Sequence, residues 1–170
     1  METNETQIPT SFDDFLNPNV QLDKETKTEK ESLNSRFSSE RNQWTAKVKN
    51  FSENFKSVLK TSESQTTIYT ERQIALEYYH YLISLLIKLN LAYRKAYALK
   101  YHFYSFESQK RFPNEASKNN QILSEIEDII EKREALDNHS KFMDQTLRTL
   151  DNIIFGIKYR IDFENIARGK

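Results

Sequence analysis

The stretch that decides the fold is residues 119–167, NNQILSEIEDIIEKREALDNHSKFMDQTLRTLDNIIFGIKYRIDFENIA. With position a on Asn119, Ile126, Arg133, Ser140, Leu147, Ile154 and Ile161, position d falls on Ile122, Ile129, Leu136, Met143, Leu150, Ile157 and Glu164. Most of these positions are apolar, and the register holds for about six heptads without a stutter, the pattern of a coiled coil. One helix cannot bury such a seam against itself. It needs a second helix of the same chain, further copies, or both. Ile, Leu and Met at Ile126, Ile129, Leu136, Met143, Leu147, Leu150, Ile154, Ile157 and Ile161 are the expected oligomerisation residues. Branched residues at both a and d in the later heptads allow more than two strands, and Arg133 and Ser140 at a would fix register. An intramolecular hairpin is the simpler alternative.

Working outward, Pro113 bars helix continuation from the N-terminal side, and residues 113–118 read as a connection. A second helix is predicted from Thr70 to about Phe112. Its start is marked by Thr70-Glu71-Arg72-Gln73, a capping box in which a Thr oxygen takes the N3 amide and Gln reaches back. Its first half is apolar on most sides, through Ile74, Leu76, Tyr78, Tyr81, Leu82, Leu85, Leu86 and Leu89, so neighbours must cover it. A polar linker is read over 61–69. Before it, Leu33, Phe37, Trp44, Val48, Phe51, Phe55 and Val58 form a helical stripe within 28–60. Residues 1–27 are an acidic tail without sustained periodicity, carrying one apolar island, Phe12-Asp13-Asp14-Phe15-Leu16.

Composition agrees with this organisation. Two glycines and three prolines in 170 residues are too few for the turns of a sheet protein. The expected class is all-α: long helices, the C-terminal one coiled-coil-like, assembled as an oligomeric helical bundle. Cysteine is absent, which excludes disulfides and thiolate metal sites. The most apolar run, 78–91, is broken by His80, Ser84, Lys88 and Asn90 and falls short of a membrane span, so no membrane partner is expected. The N-terminus lacks an apolar signal region, and a cytoplasmic location is expected, in the host cell if the protein is viral.

The formal net charge is zero but segregated. Residues 1–31 carry eight acids and three bases, net −5, whereas residues 88–118 carry two acids and seven bases, net +5. In the basic segment, cations alternate with aromatic rings. Lys88, Arg94, Lys95, Lys100, His102, Lys110 and Arg111 are the candidate phosphate contacts, and Tyr97, Tyr101 and Tyr104 the candidate stacking platforms for single-stranded nucleic acid. An inward-facing aromatic row is the rival reading of the same spacing. The remaining chemistry is sparse. Gly156 and Gly169 cannot build a phosphate loop, and His80, His102 and His139 stand alone in their segments. The carboxylates Glu125, Glu127, Asp128 and Glu131 read as a solvated face. No nucleophile–base–acid set can be nominated, so neither catalysis, cofactor nor metal is expected.

Phe155-Gly156-Ile157-Lys158, then Asp162, then Gly169-Lys170 resemble the C-terminus of the UvsY-like recombination mediators of T-even-type phages, where Phe-Ala-Ile-Lys, an Asp and a final Gly-Lys occur at the same spacing. Ala98-Leu99-Lys100-Tyr101-His102 is similar to that family's Ala-Leu-Lys-x-Arg element, with His102 in place of Arg, which puts a direct transfer of that charge in doubt. The heptads from Ser117 follow the family pattern, so the resemblance spans about residues 90–170. It implies an oligomeric helical ring that binds single-stranded DNA and helps load a RecA-like recombinase while displacing the single-strand-binding protein. The alternative is a non-enzymatic coiled-coil scaffold, such as a virion component, that binds no nucleic acid.

Overall fold

The computed structural model describes residues 26–54 and 62–169. Four α-helices are present among them, and no strand: α1 (Thr26–Asn54), α2 (Ser62–His102), α3 (Glu115–Glu125) and α4 (Glu127–Ala167), with a π-helical turn at Phe103–Glu107 after α2. The acidic tail through residue 25 lies outside the described residues, as do Phe55 and Val58 of the first stripe.

Helices α2 and α4, 41 residues each, lie against one another for most of their length of about 60 Å. They run antiparallel: Arg72 in the first half of α2 forms an ion pair with Asp151 in the second half of α4 (2.6 Å), while Tyr93 in the second half of α2 receives the guanidinium of Arg133, near the start of α4, over its ring (4.6 Å). Helix α1 packs on α4 as the third member of the bundle. The heptad seam is thus buried within one chain. Leu136, Met143 and Leu150 are fully enclosed, and Leu147, Ile154 and Ile157 are buried, against Phe37 and Trp44 of α1 and Ile68, Ala75, Leu82, Leu85 and Leu89 of α2; Ile126 is buried apart from this cluster. A second copy is not needed to cover them. The two polar a positions are accommodated in cis as well. Arg133 lies on Tyr93, and the Ser140 hydroxyl donates to the Asp137 carbonyl (2.8 Å).

A buried polar node joins the three long helices. The Glu40 carboxylate on α1 accepts from the Tyr78 hydroxyl on α2 and from His139 Nε2 on α4 (3.0 Å), and Arg36 Nε donates to its second oxygen (3.0 Å). With the ring proton on Nε2, His139 Nδ1 accepts from Arg41 Nε (3.4 Å), so both imidazole nitrogens are satisfied although the residue is wholly enclosed. Phe37 stacks on the imidazole at 4.2 Å. Burial by itself would raise the Glu40 pKa. The hydrogen bonds from His139, Tyr78 and Arg36 and the Arg36 charge outweigh it and hold the carboxyl below its usual range. Burial and the adjacent Glu40 carboxylate push the Tyr78 phenol strongly upward.

Four boundaries differ from the sequence reading. Residues 62–69 are helix rather than linker, because Ile68 is completely buried and draws the preceding turn into α2. Thr70 is then interior, and its hydroxyl donates back to the Thr66 carbonyl (3.0 Å) instead of capping. At the other end α2 stops at His102, not Phe112. The π turn closes with the Ser108 amide on the Phe103 carbonyl (2.8 Å), after which the chain is extended. The third helix begins at Glu115 rather than Asn119, because the Asn114 side chain caps it by accepting from the Ser117 amide (2.8 Å). Lastly, 119–167 is not one helix. Ile126 leaves helical geometry (φ −111°, ψ 17°), which separates α3 from α4, and α3 also packs on the end of α2. Gly169 adopts φ 67°, the left-handed residue expected just past the C-terminal cap.

Candidate nucleic-acid interface

The basic aromatic segment divides into two faces. Tyr93, Tyr97, Tyr101 and Tyr104 follow one another at spacings of four, four and three, and they face α3 and the start of α4. Tyr97 donates to Asn119 (3.0 Å), and Tyr104 donates to Glu125 with Phe112 set edge-on to its ring (5.2 Å). Lys118 Nζ lies over the Tyr101 ring at 4.1 Å, and Tyr97 and Tyr101 stack on each other at 6.3 Å. These three tyrosines contact α3 from α2, and Tyr101 keeps 37% of its surface exposed. The expected stacking platforms therefore lie on the α3 side of the segment.

Several of the expected phosphate contacts are also engaged. Lys100 Nζ is 2.7 Å from a Glu125 oxygen. His102 Nδ1 lies 3.0 Å from Glu107, and Lys110 donates to Gln121 (2.9 Å) with its ammonium over the Phe112 ring at 5.2 Å. Glu125 is the centre of this network. Hydrogen bonds from Lys100, Tyr104 and Gln121 lower its pKa to about 2, and the Lys100 and Tyr104 pKa values move up in response to it. Glu125, read from sequence as a solvated carboxylate, is therefore the acid that neutralises the inner part of the basic strip. Only the pairing across the 102–115 connection reveals this; the spacing along the chain gives no sign of it.

The other face of α2 points outward. Ile87, Leu91, Lys95 and Leu99 lie on it at spacings of four, flanked by Lys88, Arg94 and Ala98. All seven are exposed, and Leu91 (53%) and Leu99 (72%) are so despite being apolar. Phe103 and Phe106 continue it at the π turn, exposed by 44% and 77%, with Arg111 exposed nearby in sequence. Phe103 and Phe106 belong to the same basic aromatic segment as the tyrosines. The π turn separates them, turning Tyr104 inward and leaving its neighbours outside. The exposed cations of this face are thus Lys88, Arg94 and Lys95, with Arg111 exposed in the connection that follows, and the outward rings are Phe103 and Phe106.

A second exposed apolar row was missed. Phe155, Tyr159, Phe163 and Ile166, at spacings of four, four and three on α4, are all more than half exposed. They lie off the a/d seam, on the opposite side from Ile154 and Ile157, and the regularity of the seam masks them. Between α1 and α4 a groove of about 500 Å³ is lined by Val48, Lys49, Phe142, Gln145, Thr146 and Thr149 among others, without a nucleophile–base pair. Among the described residues no cluster of His, Asp and Glu is placed to hold a metal ion, and no helix is long and apolar enough to cross a membrane. Comparison with protein-family models, with curated proteins and with solved structures gives no match to this chain.

Proposed function

We propose that this protein is a non-enzymatic single-stranded-DNA-binding assembly factor that acts as a recombination mediator, helping to load a RecA-like recombinase in phage recombination and repair. The observation that carries the DNA-binding part is the outward face of α2. Arg94 and Lys95 are exposed on it, the exposed rings of Phe103 and Phe106 follow at the π turn, and Arg111 is exposed in the connection after it. Cations spaced along a helix neutralise successive phosphates, and exposed rings accept unstacked bases without regard to sequence. The mediator role is supported by the resemblance at Phe155-Gly156-Ile157-Lys158, Asp162 and Gly169-Lys170. It includes a place in the host cytoplasm and contact with a single-strand-binding protein. Self-association is assigned to the Phe155, Tyr159, Phe163 and Ile166 row, since the heptad seam is already covered in cis.

That same distal row favours a second reading, a helical scaffold that assembles without nucleic acid. A salt titration of binding to a fluorescent oligonucleotide separates the two. Three phosphate contacts to a single strand, from Arg94, Lys95 and Arg111, give a log–log slope of about −2. Absence of binding at low salt, together with a salt-independent oligomer mass, leaves the scaffold reading.

A further inference from the structure

Along the outward face of α2, charge and apolarity occur together. Phosphates would pair with Arg94 and Lys95 but leave Ile87, Leu91 and Leu99 in water. A ligand that covers the whole face must be acidic and apolar at once. The chain contains such a segment. Phe12-Asp13-Asp14-Phe15-Leu16 places apolar side chains at i, i+3 and i+4 with two carboxylates between them, inside a stretch of net −5.

The topology brings that segment to the right place. Glu40, Tyr78 and His139 meet at one level of the bundle. Lys47 on α1 also pairs with Glu71 on α2 (2.8 Å), so these two helices run antiparallel. Thr26 starts α1 14 residues before Glu40, about 21 Å along the helix axis, and an equal distance from Tyr78 along α2 reaches the level of Ala92. The start of α1 is therefore level, along the bundle axis, with the middle of the face formed by Ile87, Leu91, Lys95 and Leu99. Residues 17–25 between Leu16 and Thr26 span up to about 30 Å when extended. The face from Ile87 to Leu99 is only about 18 Å long. Tethering at this range gives an effective concentration on the order of millimolar.

We infer that the N-terminal segment folds back onto its own α2, with Phe12, Phe15 and Leu16 against Ile87, Leu91 and Leu99 and with Asp13 and Asp14 toward Arg94 and Lys95. The face is thus self-covered when no external ligand is bound. The inference stands independently of DNA binding, although a polyanion on the same face would displace the tail.

The chain has no cysteine, so a nitroxide pair at Asn17→Cys and Ala98→Cys labels the full-length protein specifically. Pulsed electron resonance at low salt should give one short, narrow distance. That distance should become long and broad in Arg94→Glu/Lys95→Glu, and likewise in Phe12→Ser/Phe15→Ser/Leu16→Ser. Raising salt should shift the population in the same direction as the charge reversal. A broad distribution in the otherwise unaltered chain overturns the inference, as does a narrow distance that survives both sets of substitutions. Loss of the short distance on dilution with unlabelled protein also overturns it, because the occupant is then a second copy.

Discussion

The node of Glu40, Tyr78 and His139 makes a quantitative demand on stability. Replacing Glu40 by Ala leaves two buried donors, the Tyr78 hydroxyl and His139 Nε2–H, facing a site with no acceptor. Each unsatisfied buried donor costs about 1–3 kcal/mol. The two can in part rescue each other, since Tyr78 Oη lies 3.2 Å from His139 Nε2. With the ring proton kept on Nε2, His139 can donate to the Tyr78 oxygen and keep the bond from Arg41, so the Tyr78 O–H is the one donor left without an acceptor. The net loss is therefore about 1–3 kcal/mol, a large share of the ~5–15 kcal/mol available to a folded domain. For a chain of this size it corresponds to a fall in Tm of about 2–12 °C. Urea unfolding followed by far-UV circular dichroism, and by the fluorescence of the sole tryptophan, Trp44, buried beside the node on α1, measures it directly.

Linkage adds a signature that a merely misfolded variant lacks. The folded-state pKa of Glu40 is depressed below the ordinary value of 4.5, so its contribution is fully present above that value and is lost as pH falls through the folded pKa. Stability of the parent chain should decline with acid below about pH 4.5, and the decline should be shallower in Glu40→Gln, which has no carboxylate to protonate. Tyr78→Phe should cost about 1.5–3 kcal/mol by itself, and the double variant should show coupling, because the two side chains share one bond. If Glu40→Ala and Tyr78→Phe each unfold within about 0.5 kcal/mol of the parent, the level of surface substitutions, the node does not hold the helices together.

Three further outcomes are expected. Arg94→Ala/Lys95→Ala/Arg111→Ala should flatten the oligonucleotide salt slope by about 2, whereas Lys100→Ala should leave it nearly unchanged, because Lys100 is committed to Glu125; the reverse pattern would place DNA on the inner face. Leu136→Ala and Leu150→Ala should each lower unfolding free energy by about 2–5 kcal/mol through the cavities they leave; losses below about 1 kcal/mol, with a change only in oligomer mass, would mean that the seam is not the core of one chain. Phe163→Ser/Ile166→Ser should reduce the mass seen by light scattering while leaving helix content intact, and an unchanged mass removes the distal row from assembly.

The two long helices, the apolar first half of α2 and the a/d seam were legible in the sequence because a covered helix repeats its apolar residues with a regular period. The ends were less legible because tertiary contacts set them. Ile68 extends α2 backward through a polar stretch of serines and threonines, and Asn114 starts α3 earlier than the first heptad residue. The joint at Ile126 is invisible to a heptad count, since Ile126 is apolar and correctly spaced whether or not its backbone is helical. The two sides of the candidate interface could not be told apart for a different reason. Lys100 and Lys95, or Tyr104 and Phe103, are alike in composition, and they differ only in which side of α2 and its π turn carries them and in whether Glu125 reaches them across a loop. His139 was equally opaque. Its partners Glu40 and Tyr78 are 99 and 61 residues away, so no local window brings the three together.

A strict heptad specifies a partner helix but not whose helix it is. Here α2 and α4 have the same length and run antiparallel, and α1 fills the remaining side, so the seam is satisfied before any second chain is encountered. A contact between copies would then have to use what the cis packing leaves bare, and the two bare surfaces differ in kind. The Phe155, Tyr159, Phe163 and Ile166 row carries four large apolar side chains with Lys158 and Asp162 offset from it, and this suits contact between identical surfaces. The α2 face mixes Ile87, Leu91 and Leu99 with Lys88, Arg94 and Lys95, so two copies placed face to face would bring like charges together. Charge thus separates the roles: the row at the end of α4 suits self-association, and the α2 face suits something acidic, whether the chain's own N-terminal segment or a single strand of DNA.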